Sequence, residues 1–277
     1  MSDGDALLRA ILDSPDDDAP RLVYADWLEE HGDPARATFI RAQIQLTRLP
    51  DNDPDRDSLV QMETTLWRAN RDLWTGWVPR WARFDRFRRG FLEKVRCDVP
   101  EFLAGADAVR AQTPLLAARL DGGGEFAVPL FRSRALNGLR SLTLSIGGVQ
   151  QGTWEHLFTC PYLARLIELD LCSNAYAGEL INGLVSSDIL PELKTLRLKW
   201  LGLDDQLASR LLGHAWIKRI RALDLGNNHI TVAAAAGVVN SPFLEEIEYL
   251  NLRGNPLAEH RPTVTSLRQR FGARVWV

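Results

Sequence analysis

One recurrence constrains this chain more than any other feature. The frame Leu-x-x-Leu-x-Leu, with Ile allowed in first place, starts at Leu139, Leu166, Leu193, Ile220 and Ile247, each 27 residues after the one before. Within a frame the last two leucines alternate with outward residues, as one face of a short strand requires. The residues between frames carry helical spacing instead, for example Trp154, Leu157 and Phe158, or Leu207, Leu211 and Leu212. A segment of this size cannot shield its own leucines from water, but stacking each on the next completes a continuous core. The sequence therefore predicts that Leu142, Leu169, Leu196, Leu223 and Leu250 form one inward-pointing file.

Two weaker copies lie upstream, Leu92-x-x-Val95-x-Cys97 and Leu115-x-x-Ala118-x-Leu120. Irregular terminal copies are usual where a stack is capped. Downstream, Thr263 to Phe271 reads as a last helix ended by Gly272, and Arg274 to Val277 as a closing strand. Asn174, Asn228 and Asn255 stand at the ninth position of their frames, whereas Gly147 and Leu201 depart from it. With that Asn the frame resembles the leucine-rich repeat family, in its longer, ribonuclease-inhibitor-like variety. The resemblance implies an α/β horseshoe-shaped solenoid of about seven repeats, strands lining the concave face and helices the other side. It also implies that the Asn side chains tie each turn to adjacent backbone.

The region before the repeats reads as helical. Ala6, Leu7, Ala10 and Ile11 share one helix face ending at Ser14-Pro15, and a second helix fits Pro20 to His31, closed by Gly32. Asp33-Pro34 is a cap residue followed by proline at the first helical position, opening a third helix toward Leu49-Pro50. A turn-rich stretch, Asp51 to Asp57, precedes a fourth helix over about Ser58 to Trp74. The segments Leu7 to Leu12, Asp17 to Pro34 and Ala37 to Gln43 are similar to the bacterial repeat-companion domain, a short helical domain preceding repeat arrays. That family transfers no functional site. The expected organisation is a small all-α domain over 1–50, a linker helix and cap over 51–90, and the repeat domain over 91–277.

Composition excludes several classes of function. No apolar run approaches the length of a membrane-spanning helix, and the acidic start lacks the pattern of a signal peptide. Three cysteines form no even framework, so a reducing cytoplasm is the expected setting. Net charge is −3, which disfavours nucleic acid as a partner. The charge is uneven: residues 1–66 hold 15 acidic side chains against 6 Arg, and residues 67–96 hold 9 basic against 3 acidic. Such an asymmetry can mark a docking surface, but the expected reading is an acidic helical cap and a basic connector that screen each other.

No catalytic signature or cofactor motif is present. The five histidines are scattered, without zinc spacing. Gly122-Gly123-Gly124 lacks the Lys-Ser/Thr of a phosphate loop. Asp51, Asp53, Asp55 and Asp57 alternate as in a calcium loop, but Arg56 and Met62 occupy its Gly and Glu positions. Cys97 falls inward and Cys172 outward, with nothing nearby to ionise it. Tyr24, Asp26 and Trp27, with Glu29 and Glu30, form the most distinctive helical cluster; such a group can dock a partner, but the expectation is a place in the core, with Asp26 bonding locally or pairing with an Arg.

Candidate residues follow from strand alternation. Ser141, Glu168, Thr195, Ala222 and Tyr249 form one outward column; Thr143, Asp170, Arg197, Asp224 and Asn251 a second; Ser145, Cys172, Lys199, Gly226 and Arg253 a third, with Trp200 just beyond. The expected function is non-enzymatic binding of a protein partner through Glu168, Asp170, Arg197, Lys199, Trp200, Asp224, Tyr249, Asn251 and Arg253. Neither a cofactor nor a metal, nucleic acid or membrane is expected; the sequence is compatible with a monomer but does not fix the oligomeric state. The alternatives are a stoichiometric regulator or inhibitor of an enzyme and a structural assembly element.

Overall fold

Leu142, Leu169, Leu196, Leu223 and Leu250 stand opposite one another on successive strands, and Val275 continues the file. All five leucines are fully buried. The computed structural model that shows this describes residues 2–277. Eight strands make one sheet in chain order. They are β1 (Lys94–Asp98), β2 (Ala117–Asp121), β3 (Ser141–Ser145), β4 (Glu168–Asp170), β5 (Thr195–Arg197), β6 (Ala222–Asp224), β7 (Tyr249–Asn251) and β8 (Val275–Trp276). From β3 to β8 every pairing is parallel, and from β3 to β7 partners lie 27 residues apart, for example Ser141 opposite Glu168. The sequence period is thus the strand-to-strand register, so no leucine is displaced to the wrong face.

The chain divides into two compact units: the residues up to Cys97 with Ala104–Ala117, and Asp98–Leu103 with Ala118–Val277. Helix α5 (Val99–Arg110) follows β1, and in the second unit the strands alternate with helices α6 (Ala127–Phe131), α7 (Thr153–Leu157), α8 (Ala177–Ser186), α9 (Asp205–Leu212), α10 (Val232–Asn240) and α11 (Arg261–Phe271). Residues of these helices, among them Trp154, Leu180, Leu184, Leu211 and Val238, are buried like the strand leucines. Each fully buried aliphatic side chain contributes about 2 kcal/mol against exposure. Asn174 ties one segment to the one before: its amide donates to Leu144 O and Leu171 O, both at 2.8 Å, and its Oδ1 accepts from Ile146 N at 3.1 Å. Asn255 repeats the arrangement with Leu225 O, Leu252 O and Ile230 N. Gly122 and Gly123 form a left-handed turn before a short 3-10 helix, Gly124–Phe126, and Cys97 is buried.

The first unit is built on α1 (Asp3–Asp13), α2 (Ala19–Glu30), α3 (Pro34–Arg48) and α4 (Arg56–Thr75). Ser2 and Asp5 close a reciprocal capping box on α1, and Asp33 caps α3 by accepting from Arg36 N at 2.9 Å. Ile11, Ala25, Ala37, Ile40, Ile44 and Phe91 form its core. A second cluster joins Phe39, Trp67, Trp74 and Phe87 through ring contacts. Tyr24 and Trp27 are half-buried and stacked on each other, and Arg41 binds both Asp26 and Glu29. Deep in the unit, Arg21 pairs with Glu93 at 2.8 Å. Burial pushes the Arg21 guanidinium down to about 10 and the Glu93 carboxyl up, while their mutual attraction opposes both shifts.

Candidate functional site

The sheet brings the outward residues into register. Glu168, Thr195, Ala222 and Tyr249 line up across β4 to β7, and Asp170, Arg197, Asp224 and Asn251 form the adjoining row, which Trp276 extends on β8. Arg197 forms an ion pair with Glu168, whose other oxygen accepts from Ser141 Oγ at 3.1 Å. Burial works against the Arg197 charge, but Glu168 and Asp170 outweigh it and hold the guanidinium above its ordinary range. Lys199 is partly exposed and Arg253 exposed.

Asp224 and Asn251, expected to point outward, are buried. Asp224 Oδ1 accepts from Gly226 N at 3.0 Å and from Asn251 Nδ2 at 2.8 Å, and Asn251 Oδ1 accepts from Arg253 N at 3.1 Å. Asp170 bonds Cys172 N in the same way at 3.0 Å. These short side chains thus turn back to the backbone two residues on and close the strand ends. The sequence hint was the recurrence of Asp or Asn at the fifth frame position, which Arg197 interrupts. Cys172 is half-buried, and burial together with Asp170 pushes its thiol up to about 12, which opposes use as a thiolate nucleophile.

Two features of the face went unread in the sequence. Trp276 is 44% exposed, with its ring 6.3 Å from that of Tyr249 and the Arg253 guanidinium 4.6 Å from its centroid. The second is the backbone at Trp200. Ser173, Trp200, Asn227 and Gly254 occupy the same place in consecutive segments, and all have positive φ, at 60°, 58°, 55° and 71°. Glycine and asparagine take this left-handed conformation readily, but a bulky side chain does so at a cost of order 1–2 kcal/mol. Trp200 nonetheless leaves 62% of its surface exposed. It forms one wall of a cleft of about 810 Å³ at the carboxyl ends of the strands, together with Asn227, His229, Gly254, Pro256 and Glu259.

Among the described residues no group of His, Cys, Asp and Glu is placed to hold a metal ion, and no helix is long and apolar enough to cross a membrane. No protein-family model matches the chain, and no curated protein matches it. It is similar to a protein of Bacteroides fragilis solved by crystallography, with 18% identity over 53% of this chain and a TM-score of 0.40. The match spans 42% of that protein's length, and a likeness so slight carries no argument about function.

Proposed function

We propose that residues 91–277 form a leucine-rich repeat solenoid whose strand face binds a protein partner without catalysing a reaction, and that residues 1–50 are a repeat-companion domain. One observation carries the binding reading. Adjacent strands present Tyr249 and Trp276 in partial exposure, with Arg253 stacked on Trp276. Large aromatic and Arg side chains are the usual anchors of protein interfaces. Glu168, Asp170, Arg197, Lys199 and Trp200 extend the same face along the sheet, while Asp224 and Asn251 hold the strand ends that support it. A rigid array loses little conformational entropy on association.

Simultaneous replacement of Arg197, Trp200 and Tyr249 by Ala tests the reading. Proteins captured by the parent chain from its native lysate, identified by mass spectrometry, are lost with the variant while its melting transition remains cooperative. The same proteins retained at the same yield would refute this placement of the interface.

A further inference from the structure

The cleft beside Trp200 has a chemistry of its own. One wall is an exposed indole held there by an unfavourable backbone conformation, at a position where Ser173, Asn227 and Gly254 serve the other turns. The side chains of Asn228 and Asn255, which also reach the cleft, are already spent on backbone groups. Glu259 is exposed and carries no ion pair among the described residues, and no Lys or Arg lines the cleft. An aromatic face and an unpaired carboxylate in one cleft, with no opposing cation, select a positively charged group. A planar guanidinium suits them best, because it stacks on an indole and can present its N–H fork to a carboxylate at the same time.

We propose that this cleft receives an arginine side chain of the partner protein, stacked on Trp200 and paired with Glu259. The proposal rests on the protein-binding reading above and names the chemistry of one anchor on the partner.

The test uses the full chain labelled with 15N and three blocked tripeptides, acetyl-Gly-Xaa-Gly-amide with Arg, Lys or Glu at the centre. The Arg peptide shifts the Trp200 indole N–H and the His229 amide in a saturable way, the Lys peptide binds more weakly, and the Glu peptide leaves both signals unmoved. Glu259→Gln weakens the Arg peptide up to about fivefold, as expected for one solvent-exposed ion pair. Trp200→Gly keeps the fold, because Gly254 already holds that conformation two segments further on, and abolishes the shift at His229. Equal response to the Glu peptide, no saturable response to Arg, or full binding by Glu259→Gln would overturn the proposal; equal binding of the Lys peptide would overturn the guanidinium assignment. The double variant Arg197→Ala and Tyr249→Ala separates this proposal from the wider reading. Intact peptide binding with unchanged partner capture would remove the strand face and keep the cleft. Lost capture without any peptide binding to the parent would remove the cleft and keep the face.

Discussion

The side-chain amide of Asn228 donates to the carbonyl of Leu198, thirty residues earlier in the chain, at 2.9 Å. It also donates to Leu225 O, and its Oδ1 accepts from Leu201 N and Leu203 N. With a longer bond to Gly226 O at 3.3 Å, one buried carboxamide therefore serves five backbone groups in two consecutive segments, which explains why the ninth frame position favours Asn.

Asn228→Ala leaves those groups buried without partners. A buried orphan donor or acceptor costs about 1–3 kcal/mol, and relaxation recovers part of the sum. The variant should lose about 3 kcal/mol in urea unfolding. A loss below about 1 kcal/mol would show that water or neighbouring groups replace the carboxamide.

At position 200 the backbone, not the side chain, decides stability. Trp200→Ala keeps the left-handed penalty, whereas Trp200→Gly relieves it at some expense in unfolded-state entropy. The Gly variant should therefore be the more stable of the two by about 1 kcal/mol. The comparison needs only two thermal melts, and a more stable Ala variant would contradict it.

Removing the partner of a buried charge is costly. With Arg21 fully buried and still protonated at neutral pH, Glu93→Gln strands its guanidinium. The expected loss is about 3 kcal/mol. Retained stability would mean that the carbonyls of Pro15 and Arg89, which Arg21 also reaches, suffice to hold it.

Cys172 gives the alkaline stability limb a defined sign. Its thiol is held up to about 12 in the fold, against an ordinary value of 9.0. Above pH 9 the unfolded chain loses this proton and the folded chain keeps it, so stability falls as pH rises from about 9 toward 12. At pH 10 the contribution is about 1 kcal/mol. Cys172→Ala should show a shallower decline over this range than the parent, and parallel curves would contradict the assignment.

Much of this architecture was legible because it repeats. The spacing of Leu142, Leu169, Leu196, Leu223 and Leu250 gave the strands and their register, and Asp33-Pro34 marked the start of α3. What stayed hidden depends on single residues acting against type. Asp224 and Asn251 follow the outward alternation, yet their short side chains bend back to cap strand ends. Trp200 carries no signature of a left-handed turn; only its alignment with Asn227 and Gly254 gives a hint. Trp276 lies in the closing strand, outside the 27-residue spacing that aligns the outward rows, so no sequence signal places it beside Tyr249. The pairing of Arg21 with Glu93, far apart in the chain, has no local pattern at all.

The equivalence of consecutive 27-residue segments, each leaning on the next through the leucine file and, at three of the four junctions, through Asn174, Asn228 and Asn255, is what this fold rests on. Its most direct test is deletion of residues 193–219, one whole period, with far- and near-ultraviolet circular dichroism and urea unfolding as the measurement. The expected result is a native-like spectrum and a single cooperative transition at a lower midpoint, unlike that of an out-of-phase deletion of similar length. If the in-phase deletion is no better folded than the out-of-phase one, the claim is contradicted.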